Sequence, residues 1–186
     1  MNNIKLASKV SVGFALCALA APFNLLAGHT NTVLEAELRG KNEVPSMADG
    51  RKSKRNKHVG DKNGKGEGYV FGIDGDPETL CYLLEVEKIQ LVPVGEGMAA
   101  HIHRGPAGEN GPVVAVLAGP EDGNAADCIS ELEAGKFPDL YPGIVQEILN
   151  HPEEFYINVH NPEFPSGAIR GQLEYQLEED DDHSHD

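Results

Sequence analysis

Residues 79–88 read TLCYLLEVEK in a chain of 186 residues. Successive side chains of a β-strand point to opposite faces of the sheet, so that Leu80, Tyr82, Leu84 and Val86 share one face. Four large apolar side chains at alternate positions are typical of a strand that covers a hydrophobic core. The stretch therefore predicts a β-strand with one buried face, and other strands are needed beside it to complete the core.

Outward from this strand, six other segments have the composition of short strands, with turns that contain glycine or proline between them. They are residues 33–39, 67–73, 98–104, 113–117, 155–160 and 168–177. Residues 142–150 instead predict a helix, because Ile144 and Ile148 lie four residues apart and Pro142 suits a first helical turn. This order of segments predicts an all-β fold, a Greek-key-like antiparallel β-sandwich with one short helix.

The two ends of the chain are expected to lie outside this domain, which spans residues 32–177. Residues 1–21 have a basic start, an apolar stretch and a small-residue cleavage site, which predicts a signal peptide and a secreted or periplasmic protein. The mature chain has no apolar run of the length that a transmembrane segment needs. Residues 178–186 are acidic apart from two histidines and a serine, and this charge density predicts a disordered tail.

The formal net charge of the chain is −15 at pH 7, which limits its partners. An acidic protein repels nucleic acids and anionic lipid surfaces, so that neither is expected as a partner. Seven of the 15 basic residues lie within residues 46–66, a polar and glycine-rich stretch that predicts a flexible basic insertion. Two interpretations of this insertion stay open: a solvated loop, or a contact site for an acidic protein or polymer.

Two cysteines, Cys81 and Cys128, remain once the signal peptide is removed. Two cysteines in an exported protein predict a disulfide bond. A bridge that closes a loop of roughly fifty residues contributes about 4 kcal/mol in the chain-entropy description, less any strain. The alternatives are two free thiols, or Cys128 as a metal ligand.

The residues with the most chemical potential are His101 and His103, which flank Ile102 in a predicted strand. In an extended chain these two imidazoles point to the same face, about 7 Å apart. His160 ends the polar face of another predicted strand, and if that strand is a neighbour, this third imidazole would complete a three-histidine metal site. Three neutral imidazoles suit copper or zinc and leave one coordination position open.

Asn158 shares the polar face of its strand with His160, and Arg170 lies on the polar face of residues 168–177. If the three strands are neighbours, Asn158 and Arg170 surround the histidines as a second shell. The alternative is that the histidines only hydrogen-bond to strand backbones and to Asn158 or Tyr156, and the sequence leaves both possibilities open. No catalytic residue is predicted, because neither a nucleophile motif nor a suitably placed general base is present.

Several motifs taken together resemble those of the CHRD domain family, a family of exported domains found in animals and bacteria. The motifs are residues 38–45 (LRGKNEVP), 100–108 (AHIHRGPAG), 111–114 (GPVV), 158–160 (NVH) and 165–173 (PSGAIRGQL). The resemblance extends from about residue 33 to residue 173. It implies a β-sandwich in an extracytoplasmic setting, and the animal members suggest a binding module.

The leading interpretation is thus an exported, non-catalytic binding module of undefined ligand with an unknown protein or polymer partner, in which His101, His103 and His160 are candidate ligands for copper or zinc. The His-x-His strand is also similar to the copper-binding strand of copper-zinc superoxide dismutases. This second similarity covers only a few residues and implies an alternative function, that of a copper-dependent redox protein with the same ligands. Fold analogy alone does not transfer an activity.

Overall fold

The computed structural model describes residues 33–45, 59–138 and 142–176. The predicted signal peptide and acidic tail lie outside these ranges, as do residues 46–58 of the predicted basic insertion. The last part of that insertion is described, and there Gly60 and Gly64 are buried. The strands are β1 (Leu34–Arg39), β2 (Lys65–Ile73), β3 (Asp76–Glu87), β4 (Ala99–Arg104), β5 (Val113–Leu117), β6 (Asn124–Ser130), β7 (Phe155–His160), β8 (Ile169–Gln172) and β9 (Glu174–Tyr175), and the α-helix is α1 (Ile144–Asn150).

All nine strands belong to one antiparallel sheet with the order β5-β4-β7-β8-β1-β2-β3-β6, and β9 pairs with β1. The sheet curves back on itself. The backbone N–H of Ala118, just after β5, donates to the hydroxyl of Tyr82 in β3 at 2.7 Å, although these strands lie near opposite ends of the sheet order. The predicted all-β antiparallel fold with one helix is confirmed, and its two layers are parts of one continuous sheet.

The core lies inside this curved sheet, where the alternating face of β3 packs. Leu80, Tyr82, Leu84 and Val86 are all at most 5% exposed, as the alternation in residues 79–88 predicts. The opposite layer comes very close at Gly68 of β2, where a Cβ would lie 2.5 Å from the Cδ1 of Ile157 in β7. A side chain at this position would force Ile157 to move, so that glycine lets the two layers pack this closely.

Helix α1 covers part of the core with Ile144, Val145, Ile148 and Leu149, which are all buried. The carboxylate of Glu131 accepts hydrogen bonds at 2.8 Å from the N–H groups of Gly143 and Val145 at the start of the helix. These bonds satisfy amides that have no partner within the helix. The predicted helix is confirmed, although it begins two residues after Pro142.

Two features of the strands differ from the prediction. Strand β6 was not expected, because its residues are mostly exposed and only Ile129 is buried, so that no apolar alternation marks it. The single strand expected at 168–177 is divided at Leu173: β8 pairs with both β7 and β1, whereas β9 pairs with β1. Leu173 is fully buried between the two short strands.

Cys81 in β3 and Cys128 in β6 lie directly opposite each other and form a disulfide bond. The predicted pairing is confirmed, and the alternatives of free thiols or of Cys128 as a metal ligand are wrong. In the part of the chain that the structure describes, no helix has the length and apolar character needed to cross a membrane.

Candidate metal centre

The three strands that carry the candidate residues are neighbours in the order β4-β7-β8, as the polar-face argument requires. His101 of β4 lies opposite Asn158 of β7, and Asn158 lies opposite Arg170 of β8. Two residues further along β4, His103 lies opposite Tyr156. Residues opposite each other in an antiparallel pair point to the same face, so that these side chains share one surface.

The rings of His101, His103 and His160, here called the histidine cluster, converge on this surface. The ring centroids of His101 lie 5.7 Å from His103 and 5.2 Å from His160, and those of His103 and His160 are 6.2 Å apart. One potential ligand nitrogen from each residue lies within 4.8 Å of the other two. The predicted convergence of the three histidines is confirmed.

Backbone carbonyls determine which nitrogen of two of these rings faces the cluster. The Nδ1–H of His103 donates to the carbonyl oxygen of Gly111 at 2.9 Å, and the Nδ1–H of His160 donates to that of Pro165 at 3.2 Å. A carbonyl only accepts and a neutral imidazole has one N–H, so that Nε2 of each ring keeps a free lone pair. Both Nε2 atoms and the Nδ1 of His101 are buried and have no hydrogen-bond partner among the described residues.

This arrangement has features of both interpretations of the histidines, as metal ligands and as hydrogen-bonding side chains. Backbone hydrogen bonds hold His103 and His160, as the interpretation without a metal expects, but they use one nitrogen of each ring. Tyr156 does not hydrogen-bond to a histidine; its hydroxyl accepts from the N–H of Gly111 at 3.2 Å. Nε2 of His103 and Nε2 of His160 therefore keep lone pairs that a metal ion could accept, and Nδ1 of His101 also lacks a partner among the described residues.

Burial keeps the histidine cluster uncharged at neutral pH. Desolvation lowers the pKa of His101 to about 4, with smaller contributions from His160 and His103. Desolvation also lowers the pKa of His103 and of His160, against the opposing effect of their carbonyl partners. The charge of Arg170 adds to the lowering of the pKa of His103. Neutral imidazole is the form that binds a metal ion.

A stack of side chains supports His103 from the side of β7 and β8. The ring of Tyr156 is parallel to that of His103 within 7°, with the centroids 4.9 Å apart. The guanidinium carbon of Arg170 lies 3.3 Å from the centroid of the Tyr156 ring. Arg170 is 2% exposed and donates to the carbonyl oxygens of Glu109 at 2.6 Å and Pro106 at 3.3 Å. The stack therefore joins the histidine cluster to the loop that follows β4.

Sequence reasoning did not identify Gly111 or Pro165 as partners of the histidines, because backbone carbonyls carry no residue-specific signal. Gly111 did have a signal of another kind. A Cβ at this position would overlap the carbonyl oxygen of Arg104, so that only glycine fits. The glycine in GPVV (residues 111–114) thus supports the histidine cluster through its carbonyl. Its place eight residues after His103 in the sequence was the only hint of this contact.

A family model of the CHRD domain matches residues 34–173. The chain belongs to the CHRD domain family. The CHRD match begins at the first residue of β1 and ends one residue after β8. It includes the whole histidine cluster, Asn158, Arg170 and both cysteines of the disulfide. No curated protein and no solved structure matches this chain.

Proposed function

We propose that this CHRD-domain protein is an exported binding module that holds one copper or zinc ion between His101, His103 and His160. Two observations carry the proposal: one potential ligand nitrogen from each histidine lies within 4.8 Å of the other two, and each ring has one buried nitrogen without a hydrogen-bond partner among the described residues. A buried polar atom without a partner costs about 1–3 kcal/mol. A single metal ion would give all three nitrogens a partner at once.

The cluster fits such an ion in size and chemistry. Zinc–imidazole bonds of about 2.0–2.1 Å at tetrahedral angles place the ligand nitrogens about 3.4 Å apart. The rings need to close by little more than about 1 Å, which small side-chain rotations provide. The hydrogen bonds from His103 to Gly111 and from His160 to Pro165 are the usual outer-shell contacts that orient a metal ligand.

An extracytoplasmic location agrees with the disulfide bond and with the family of the domain. Residues 1–21 would serve as the signal peptide and residues 178–186 as a disordered acidic tail. The net charge of −15 disfavours nucleic acid as a partner and favours a protein or polymer. Residues 46–66, with seven basic residues, are the part of the chain best suited to an acidic partner.

The second candidate function is that of a copper-dependent redox protein. The specific observation behind it is that His101, His103 and His160 are each only partly buried, and no further His, Cys, Asp or Glu of the described ranges joins them. A three-histidine ion would keep an open position that small molecules could reach. Copper rather than zinc is required for this function, because zinc has no redox chemistry.

Metal analysis of the full chain tests the main proposal. His183 and His185 are replaced by Ala in every sample, so that the tail does not contribute metal ligands. We expect one equivalent of copper or zinc in this protein, and none after His103→Ala. His151→Ala is the matched control, because its side chain is 59% exposed and lies outside the cluster; it should keep the metal.

Two results would contradict these proposals. If the protein with an intact cluster binds neither metal at micromolar concentration, the metal site does not exist. If it binds copper but ascorbate does not reduce the ion to Cu(I), or oxygen does not reoxidise it, the redox function fails while the binding function stands. Electron paramagnetic resonance follows Cu(II) directly in both steps.

A further inference from the structure

Asn158 has an unusual place in the candidate metal centre. It lies directly opposite His101, and His160 follows two residues later on the same face of β7. His103 lies opposite Tyr156, two residues before Asn158. His103 and His160 therefore lie on either side of the pair that His101 and Asn158 form. Asn158 therefore lies within the part of the sheet face that carries the histidine cluster, and the residue is 4% exposed.

The amide oxygen of Asn158 has no hydrogen-bond donor there. Its Oδ1 is fully buried and accepts no hydrogen bond from the residues that the structure describes. Arg170, its neighbour on the other side, donates instead to Pro106, Glu109 and the side chain of Asn110. A buried carbonyl oxygen without a donor costs free energy, and this oxygen belongs to the same sheet face as three ring nitrogens that also lack partners. Together they point to a bound group that satisfies both.

Direct coordination by Asn158 is a poor match for the ions that imidazoles prefer. Amide and carbonyl oxygens suit magnesium, calcium and manganese, whereas neutral imidazoles suit copper and zinc. A three-histidine ion of the latter kind commonly completes its shell with water. A water molecule on the ion carries protons that it can donate, and Oδ1 is an acceptor without a donor.

We propose that Asn158 Oδ1 accepts a hydrogen bond from the ligand in the fourth coordination position, and so selects water, hydroxide and other ligands with a proton on the bound atom. This inference rests on the proposed metal site. Anions without a proton, such as azide, would leave Oδ1 unpaired in a buried place. Asn158 is then a positioning and selectivity residue that does not touch the ion.

Azide binding to the Cu(II)-loaded full chain tests the proposal, with His183 and His185 replaced by Ala as before. Azide on Cu(II) gives a charge-transfer absorption that reports its affinity. Asn158→Leu keeps the size of the side chain and removes the acceptor, so that azide no longer leaves a buried oxygen unpaired. We expect azide to bind roughly three- to tenfold more tightly to this variant, the effect of one hydrogen bond.

Asn158→Ala is the second variant, in case leucine disturbs the packing, and it should shift azide affinity in the same direction. Asn150→Leu makes the same chemical change at an exposed position on α1, outside the cluster, and should leave azide affinity unchanged. Copper uptake by each protein is measured first. That measurement separates the loss of the site from a change in its selectivity.

Each other outcome overturns a defined statement. If the protein with an intact cluster takes up no copper, the proposed function fails. If it takes up copper but azide affinity is unchanged or lower in Asn158→Leu and Asn158→Ala, only the role of Asn158 fails. If both variants lose copper while Asn150→Leu keeps it, Asn158 is required for the site to bind copper at all, and the selectivity role is wrong.

Discussion

At the scale of single residues, the two ring nitrogens of His103 and of His160 have different roles in the cluster. Nδ1 of His103 is used by the carbonyl of Gly111, and Nδ1 of His160 by that of Pro165. Nε2 of each ring stays free. Gly111 provides its carbonyl from a position where no other residue fits. The orientation of the ring of His103 is therefore set by loop backbone as well as by its own strand.

The lowered pKa values make the stability of the metal-free protein depend on pH. A histidine in the unfolded chain titrates near pH 6.5, whereas burial lowers the pKa of His101 to about 4 and also lowers those of His103 and His160. Between pH 7 and pH 5 the unfolded chain binds more protons than the folded one. The free energy of unfolding is therefore expected to fall as the pH is lowered through this range.

Urea unfolding at pH 7, 6 and 5 in the presence of a chelator measures this dependence. His101→Ala removes one of the three groups and should make the dependence on pH shallower. Equal slopes for the two proteins, or no loss of stability at pH 5, would show that the folded chain does not keep these imidazoles uncharged.

At the scale of elements, strand β6 has little apolar burial of its own, so that its stability depends mainly on its pairing with β3. It lies at one end of the sheet, pairs with β3 alone, and buries only Ile129. The carboxylates of Asp122 and Asp127 accept from the backbone N–H groups of Asn124 and Cys128. These side chains occupy amides that another strand could otherwise pair with, which protects the edge of the sheet.

The disulfide is expected to hold β6 in place, because little apolar burial does so. Replacing both Cys81 and Cys128 by Ser should lower the free energy of unfolding by about 2–4 kcal/mol. Urea unfolding measures this loss. Hydrogen exchange should show the amides of β6 losing protection first, while those of β4 and β7 keep theirs.

Reduction of the unsubstituted protein provides the control for this prediction, since it breaks the bond without changing either side chain to Ser. The reduced protein should match the double variant in stability. If β6 keeps its protection from exchange without the bond, the hydrogen bonds to β3 are sufficient to hold it.

At the scale of the whole molecule, the metal site joins parts of the chain that are far apart in sequence. His101 and His160 come from strands separated by β5, β6 and α1 along the chain, and these strands pair only in the folded sheet. An ion held by both would bind the folded state and not the unfolded one. Metal binding is then linked to global stability.

Addition of the bound metal should therefore raise the midpoint of thermal unfolding. At a free concentration 100 times the Kd, the stabilisation is about 2.7 kcal/mol. A chelator should reverse the shift, and His103→Ala should show none, whereas His151→Ala should behave like the unsubstituted protein. A shift of equal size in His103→Ala would place the bound ion outside the cluster.

Much of this fold could be predicted from local pattern. Alternation identified the inner face of β3, and four-residue spacing identified the helix near Ile144 and Ile148. Both signals reflect burial on one face, which a single segment records in its own residues. Strand β6 shows no such pattern, because its pairing with β3, and not the burial of its own side chains, makes it a strand.

The histidines themselves were evident from the amino-acid sequence, since His101 and His103 share a face in any strand and His160 ends a polar face in another. The assembly of the three histidines could not be predicted, because it required β4, β7 and β8 to be neighbours. Strand order depends on how the whole sheet closes over its core. The carbonyls of Gly111 and Pro165 that orient two of the rings, and the amide oxygen of Asn158 without a donor on the same sheet face, arise only from that closure. Local pattern determines which residues face outward, whereas contacts between distant segments decide which of them meet.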